Sequence, residues 1–424
     1  MRLYLAITLV VAVLYGCSSG SESSDKQGPA PTASTAEPGN SAAHSAAQAA
    51  AEPPGDATRG HKLVEQYECH RCHEGIAEVE PIAEVRHCTM CHQRVMEGKF
   101  RGKPDNERWQ KNVAHLTAVP SLAALGKRFR YDWVVGFLTN PHDLRPALEP
   151  TMPRLKMTKE QARDIATYLM EAGKSARPRT VALDGADVKR GRRLMEQKQC
   201  GTCHRMTGVA AFPDAPKTEG RETRVAVMLA PDLRYARERL DASTVVAWLL
   251  DPQSMKSGTP MPQTPMSEAE ARDIAAYILQ TELAPPPEKK IPELPKPLDR
   301  DVTFAEVAER VFDKTCRHCH GNPDVARGDG GPGSTGGFGF KARGLQLDSY
   351  ERVQAGYLDN AGERQSLFSS DKGTPHILAS LMARHAEEAG EPNPDVRGMP
   401  LGLPALPIED IQLLVTWIAK GRPR

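Results

Sequence analysis

Four copies of Cys-x-x-Cys-His punctuate this chain: Cys69, Cys72 and His73; Cys88, Cys91 and His92; Cys200, Cys203 and His204; Cys316, Cys319 and His320. Two thiols at that spacing, followed directly by an imidazole, are what covalent attachment of a c-type haem requires. The cysteines bond the porphyrin's vinyl groups, and the histidine becomes the proximal ligand of the iron. Paired cysteines alone also suit a zinc site or a redox dithiol, but neither calls for a histidine after the second cysteine. Only 13 of 424 residues are His, so chance would place one after all four pairs with odds of roughly one in a million. The motifs take eight of the nine cysteines. No thiol remains for a structural disulfide, and the sequence predicts four covalently bound haems c.

The ninth cysteine, Cys17, follows an export-type leader: Met1 and Arg2, an apolar run from Leu3 to Leu14, then Gly16. The run is too short for a comfortable membrane span. With Leu14, Tyr15 and Gly16 ahead of it, Cys17 resembles the lipidated first residue of a bacterial lipoprotein, which implies a membrane contact through a lipid anchor. An ordinary secretory cleavage nearby is the alternative. By the same resemblance, Ser18 favours the outer membrane.

Residues 18–57 are mostly Ala, Ser, Gly, Pro and small polar residues, a composition that predicts a disordered linker. A further breakpoint is expected between 176 and 185, and six prolines within residues 285–300 predict an extended linker. The expected organisation is a signal peptide at 1–17, the linker at 18–57, a dihaem domain at 58–176, a monohaem domain at 185–284, the Pro-rich linker at 285–300 and a monohaem domain at 301–424.

An internal repeat joins the first two units. Ala162 to Ala166 and Tyr168 recur unchanged as Ala271 to Ala275 and Tyr277 at an offset of 109, and Met152-Pro153 recurs as Met261-Pro262 at the same offset. Upstream, Gly60 and Leu63 map onto Gly191 and Leu194 at an offset of 131, so the first copy carries 22 additional residues. The Cys88 motif lies inside that segment, as if one-haem architecture had gained a second haem by insertion.

With a haem motif near the start and Met-Pro before a last helical segment, the units resemble class I cytochrome c domains, which implies an all-α fold of three small helical domains in tandem. The capping patterns Thr158 with Gln161 and Ser267 with Glu270, each ahead of apolar residues at helical spacing, support that expectation. The third unit, with Gly344 to Ser349, Gly398-Met399-Pro400 and Trp417 to Gly421, resembles the planctomycete-type cytochrome c domain. Resemblance to c-type cytochromes further implies haem attachment outside the cytoplasm, hence an exported protein facing the periplasm or the cell surface.

Met152, Met261 and Met399 are the expected distal ligands, since each precedes proline and the last helix of a unit. A soft thioether raises the potential of a haem relative to a second histidine. Met157 near Met152, and Met255 and Met266 near Met261, remain possible substitutes. The Cys88 haem has no Met-Pro of its own. His115 is its candidate sixth ligand, with Met96 or an open position as alternatives, and His318 lies inside the fourth motif, aimed away from its own iron. The glycine-rich stretch from Gly328 to Gly339 lacks a nucleotide-loop pattern and is expected to be a mobile loop.

A net charge of +1 argues against nucleic-acid binding. The functional expectation is a tetrahaem cytochrome passing single electrons between redox partner proteins, a membrane oxidoreductase and a periplasmic or extracellular acceptor. The alternative is a haem enzyme, peroxidase-like or reducing a small oxyanion, with an open site at the Cys88 haem.

Overall fold

In a computed structural model the described residues are 55–424, apart from 77, 81, 83–86, 101, 103–105, 143, 149–151, 173–175, 210–220, 323–331 and 371–372. The leader, Cys17 and nearly all of the N-terminal linker fall outside them. Ordered contacts begin slightly earlier than the sequence suggests: the Gly55 amide donates to the Tyr131 hydroxyl at 3.2 Å, and the Asp56 side chain caps the helix Ala57–Gln66.

Secondary structure is mostly helical, with one addition to the all-α expectation, a hairpin of two-residue strands pairing Tyr357 with Gln365 and Leu358 with Arg364. Among the described residues three hydrophobic cores form, over residues 57–172, 181–283 and 298–418, with Phe338 and Phe340 packing against the first. Residues 53–424 nevertheless make one compact unit.

In the first two segments an opening helix crosses a closing helix, and glycine allows the approach. A Cβ added at Gly60 would sit 2.1 Å from the Asp164 carbonyl oxygen, and one at Gly191 would sit 2.0 Å from that of Asp273. The repeated glycines of the sequence are therefore helix-crossing contacts, where any side chain would force the helices apart. The closing helices Lys159–Glu171 and Glu268–Gln280 both start with capping boxes, on Thr158 with Gln161 and Ser267 with Glu270, which satisfy amide groups that have no partner within the helix.

A buried acid clamps each crossing. Asp164 pairs with Arg59 at 2.8 Å and Asp273 with Arg190 at 2.9 Å. The third segment has Val307 in place of the glycine, and its opening helix changes to a π-helical stretch over Ala308–Cys316. It keeps the clamp: the fully buried Asp410 of the closing helix Ile408–Ala419 pairs with Arg310 at 2.5 Å and Lys314 at 3.1 Å. Phe304, Tyr350 and Phe368 gather around the buried Trp417, with ring centroids 5.3–6.4 Å apart along the cluster.

The segments are also joined to one another. The Arg130 amide donates to the Arg239 carbonyl and the Asp232 amide to the Leu144 carbonyl, each at 2.8 Å. The described part of the glycine-rich stretch is a docking element rather than the expected mobile loop. The Phe338 amide donates to Glu68 at 3.1 Å, Arg71 lies 5.4 Å from the Phe338 ring, and Gly339 meets Tyr67 closely enough that a Cβ would clash with the ring.

Candidate functional site

Each opening helix delivers a motif. In the first, Tyr67 closes the helix, Glu68 turns into the left-handed region at φ 51°, and Cys69–Arg71 forms a 3-10 turn. The second segment repeats this with Gln199 at φ 53° and a turn over Cys200–Thr202. Both thiols and the imidazole of each of these motifs reach the wall of one cavity. In three motifs the histidine amide then donates to the carbonyl of the first cysteine, His73 to Cys69 at 2.9 Å, His204 to Cys200 at 3.0 Å and His320 to Cys316 at 2.9 Å. The Cys88 motif differs, because it starts a helix instead of ending one. Cys88–Met96 is helical, and the His87 side chain accepts from the Met90 amide at 3.3 Å as its N-cap.

The motif histidines are held as neutral ligands. His73 Nδ1 is 2.8 Å from the Pro120 carbonyl oxygen, and His204 Nδ1 is 2.9 Å from that of Pro231. The carbonyl oxygen accepts a hydrogen bond from Nδ1–H, fixing the tautomer that leaves Nε2 free for a metal. Burial lowers the pKa of His73, His204 and His320, partly offset by Pro120, by Pro231, and by the backbone at Leu345 and Gly333 respectively. Neutral imidazole is the form that binds iron. The carbonyls were legible in principle, since Pro120-Ser121-Leu122 recurs as Pro231-Asp232-Leu233 at an offset of 111.

None of the eight motif thiols is in a disulfide. Burial pushes the thiols of Cys69 and Cys316 up to about 12. Cys72 is raised too, first by its hydrogen bond with Cys88 and then by burial. Among the described residues, no group of three or more His, Cys, Asp or Glu side chains is arranged to hold a metal ion alone. The cysteine pairs therefore do not assemble a zinc site.

One continuous cavity of about 1350 Å³ runs through all three segments. Seven motif cysteines line it, Cys91 being off the wall, and so do His73, His92, His204 and His320. Met152, Met261 and Met399 are also on the wall, whereas Met157, Met255 and Met266 are not. Met255 is buried, and Met152, Met157, Met261 and Met266 all pack against the cores, so it is the cavity wall that separates the repeated Met-Pro sulfurs from their neighbours. Trp248 Nε1 donates to the Met261 sulfur at 3.0 Å. Met96 is exposed. His115 belongs to a short 3-10 turn, Ala114–Thr117, but its side chain lies outside the described residues.

The cavity suits a flat apolar group carrying anionic edges. Apolar side chains make up much of the wall, together with Arg128, Arg145, Arg239 and Lys256. Burial and the neighbouring Arg128 and Arg145 push Arg239 down to about 10 and lower Lys256. The Nε groups of Arg128 and Arg239 are buried without a hydrogen-bond partner. Cations left short of counter-charge inside a protein are costly, and the propionate carboxylates of haem are groups of the right charge to satisfy them. Arg128 and Arg239 also recur at the offset of 111, a signal that sequence reasoning missed. Thiols, neutral imidazoles, thioethers and buried cations thus all fit covalently bound haem.

A family model for cytochrome c matches residues 188–282. The match opens at the first residue of the helix Val188–Gln197 and closes just after the helix Glu268–Gln280. No curated protein and no solved structure matches the chain. The segment 188–282 is a cytochrome c domain, which gives the chain covalently bound haem c with its iron and a general role in haem-based electron transfer.

Proposed function

With a cytochrome c domain at residues 188–282 as the premise, we propose that the whole chain is a tetrahaem cytochrome c that relays single electrons. The supporting observation is the continuous cavity, whose wall carries cysteine and histidine from all four motifs. Haem iron, when bound, supplies one-electron redox chemistry. The chain's own part is to hold each group by thioether bonds, fix His73 and His204 through the Pro120 and Pro231 carbonyls, and exclude water with the apolar wall. Met152, Met261 and Met399 are the proposed distal ligands of three sites.

The proposed organisation is a dihaem domain at 58–176 and monohaem domains at 185–284 and 301–424, the last planctomycete-like. Three hydrophobic cores support it. Export, with lipidation at Cys17 and periplasm-facing placement at the outer membrane, is proposed from the leader. A membrane oxidoreductase and an external acceptor are the proposed partners. No helix among the described residues is long and apolar enough to cross a membrane, so replacing Cys17 by Ser should release the protein from membranes if lipid alone holds it there.

The relay is tested by spectroelectrochemical titration of the purified protein. Four one-electron equivalents, taken up and returned without reaction with carbon monoxide or peroxide, support it. Multiple-turnover peroxide consumption, with carbon monoxide bound at one native haem, would favour the enzyme alternative at the Cys88 site.

A further inference from the structure

The geometry points to His318 as the sixth ligand of the iron held by His92. It rests on the four-haem proposal and deepens it by joining two sites from different segments. The rings of His92 and His318 have centroids 6.2 Å apart and an interplanar angle of 53°. Both line the cavity. The separation falls within the range of about 4.5–7 Å of ordinary ring contacts, and what bears on ligation is the space it leaves between facing nitrogens. A five-membered ring built from bonds near 1.33 Å has a radius of about 1.1 Å, so nitrogens turned toward each other across this gap stand about 3.9 Å apart. A direct hydrogen bond needs about 2.7–3.2 Å. A metal with imidazole on opposite sides needs twice the metal–nitrogen distance of about 2.0–2.1 Å, close to the gap found. Interplanar tilt is no obstacle, since axial imidazoles rotate freely about the ligand axis.

The surroundings agree. His318 sits at position three of the fourth motif, between Cys316 and Cys319, and lines the cavity together with His320 and His92. Among the described residues its ring has no hydrogen-bond partner. Among the remaining candidates, Met96 is exposed and off the cavity wall. The docking of Phe338 on Glu68 and Arg71 holds the third segment against the first beside the first motif, and so fixes the approach of His318 to His92. The site is then closed to exogenous ligands by a residue 226 positions away in sequence, which only the folded chain supplies. A consequence follows for the order of the relay. Cys72 pairs with Cys88, and the ligand of the Cys88 site is part of the Cys316 motif. The second haem therefore bridges the first and the fourth.

The test uses the full-length holoprotein with four haems verified by mass. Low-temperature paramagnetic resonance of the native protein should show one signal of the two-imidazole type beside three of the imidazole–thioether type. In His318→Ala, four haems should remain attached, one should become high-spin and bind carbon monoxide, and added imidazole should restore the low-spin signal. His115→Ala should leave the spectrum unchanged. A His318→Ala protein that stays fully low-spin and refuses carbon monoxide overturns the assignment, as does loss of the two-imidazole signal in His115→Ala. If the variant matures poorly, absence of any two-imidazole signal in the native protein overturns it instead. A native mass showing only three haems, with none on Cys88 and Cys91, removes the four-haem proposal itself and is told apart by that mass.

Discussion

The thiols of Cys72 and Cys88, from successive motifs, hydrogen-bond to one another, and the Thr89 hydroxyl donates to the Cys72 carbonyl at 3.2 Å. Two haems attached through these sulfurs would share an edge. Weak coupling between their irons should broaden the two corresponding signals without merging them, and a Cys88→Ser, Cys91→Ser double variant should lose one haem, keep three, and sharpen the signal of the first haem. Unbroadened signals in the native protein would place the two groups further apart than the thiols imply.

The helix crossings give a stability prediction. Gly60→Ala or Gly191→Ala drives a methyl into a backbone carbonyl that cannot swing away, and overpacking of this kind costs about 1–3 kcal/mol or more. Denaturant midpoints should fall for both, with haem content intact. Val307→Ala, in the segment without this glycine, removes buried methyl groups and should cost through a cavity instead. Unchanged midpoints for both glycine variants would contradict the crossing.

Met261 provides a ligand test. Met261→Ala should leave its haem attached, open the iron to exogenous ligands and lower that site's potential, because a soft donor that favours reduced iron is gone. Met255→Ala and Met266→Ala should leave the potential in place, since those side chains do not reach the cavity. A titration changed by Met266→Ala and not by Met261→Ala would reassign the ligand.

Acid sensitivity should trace to Asp164. Its hydrogen bond with Arg59 holds the carboxyl below the ordinary carboxylate range, with further help from the Asp56 amide. A depressed folded pKa means that the pair stabilises the native state fully above the unfolded value of about 3.9, and that this contribution disappears as pH falls through the folded value. Asp164→Asn should therefore lower the melting temperature near neutral pH, and the gap to the parent protein should close as the pH approaches that range from above and passes below it. A gap that stays constant with pH would mean that Asp164 acts by packing alone.

Much of the site was legible as spacing. The four motifs, the repeated glycines and the Met-Pro pairs are local signals, and the structure puts the Met-Pro sulfurs on the cavity wall while leaving Met157, Met255 and Met266 off it. Pro120 and Pro231, and Arg128 and Arg239, were visible only to a search for weaker repeats at a second offset. Glycine content around residues 328–339 suggested mobility, but Phe338 and Gly339 are fixed by partners some 270 positions away. The meeting of His92 and His318 is of the same kind. Contacts between segments depend on how three cores pack together, and no local pattern encodes that.

The central claim is that all four motifs carry haem in a single relay. Thioether bonds survive unfolding while axial bonds do not, so intact mass of the fully matured, denatured protein, with a pyridine haemochrome assay on the same sample, counts the haems directly. The account predicts four per chain. Three or fewer would contradict it.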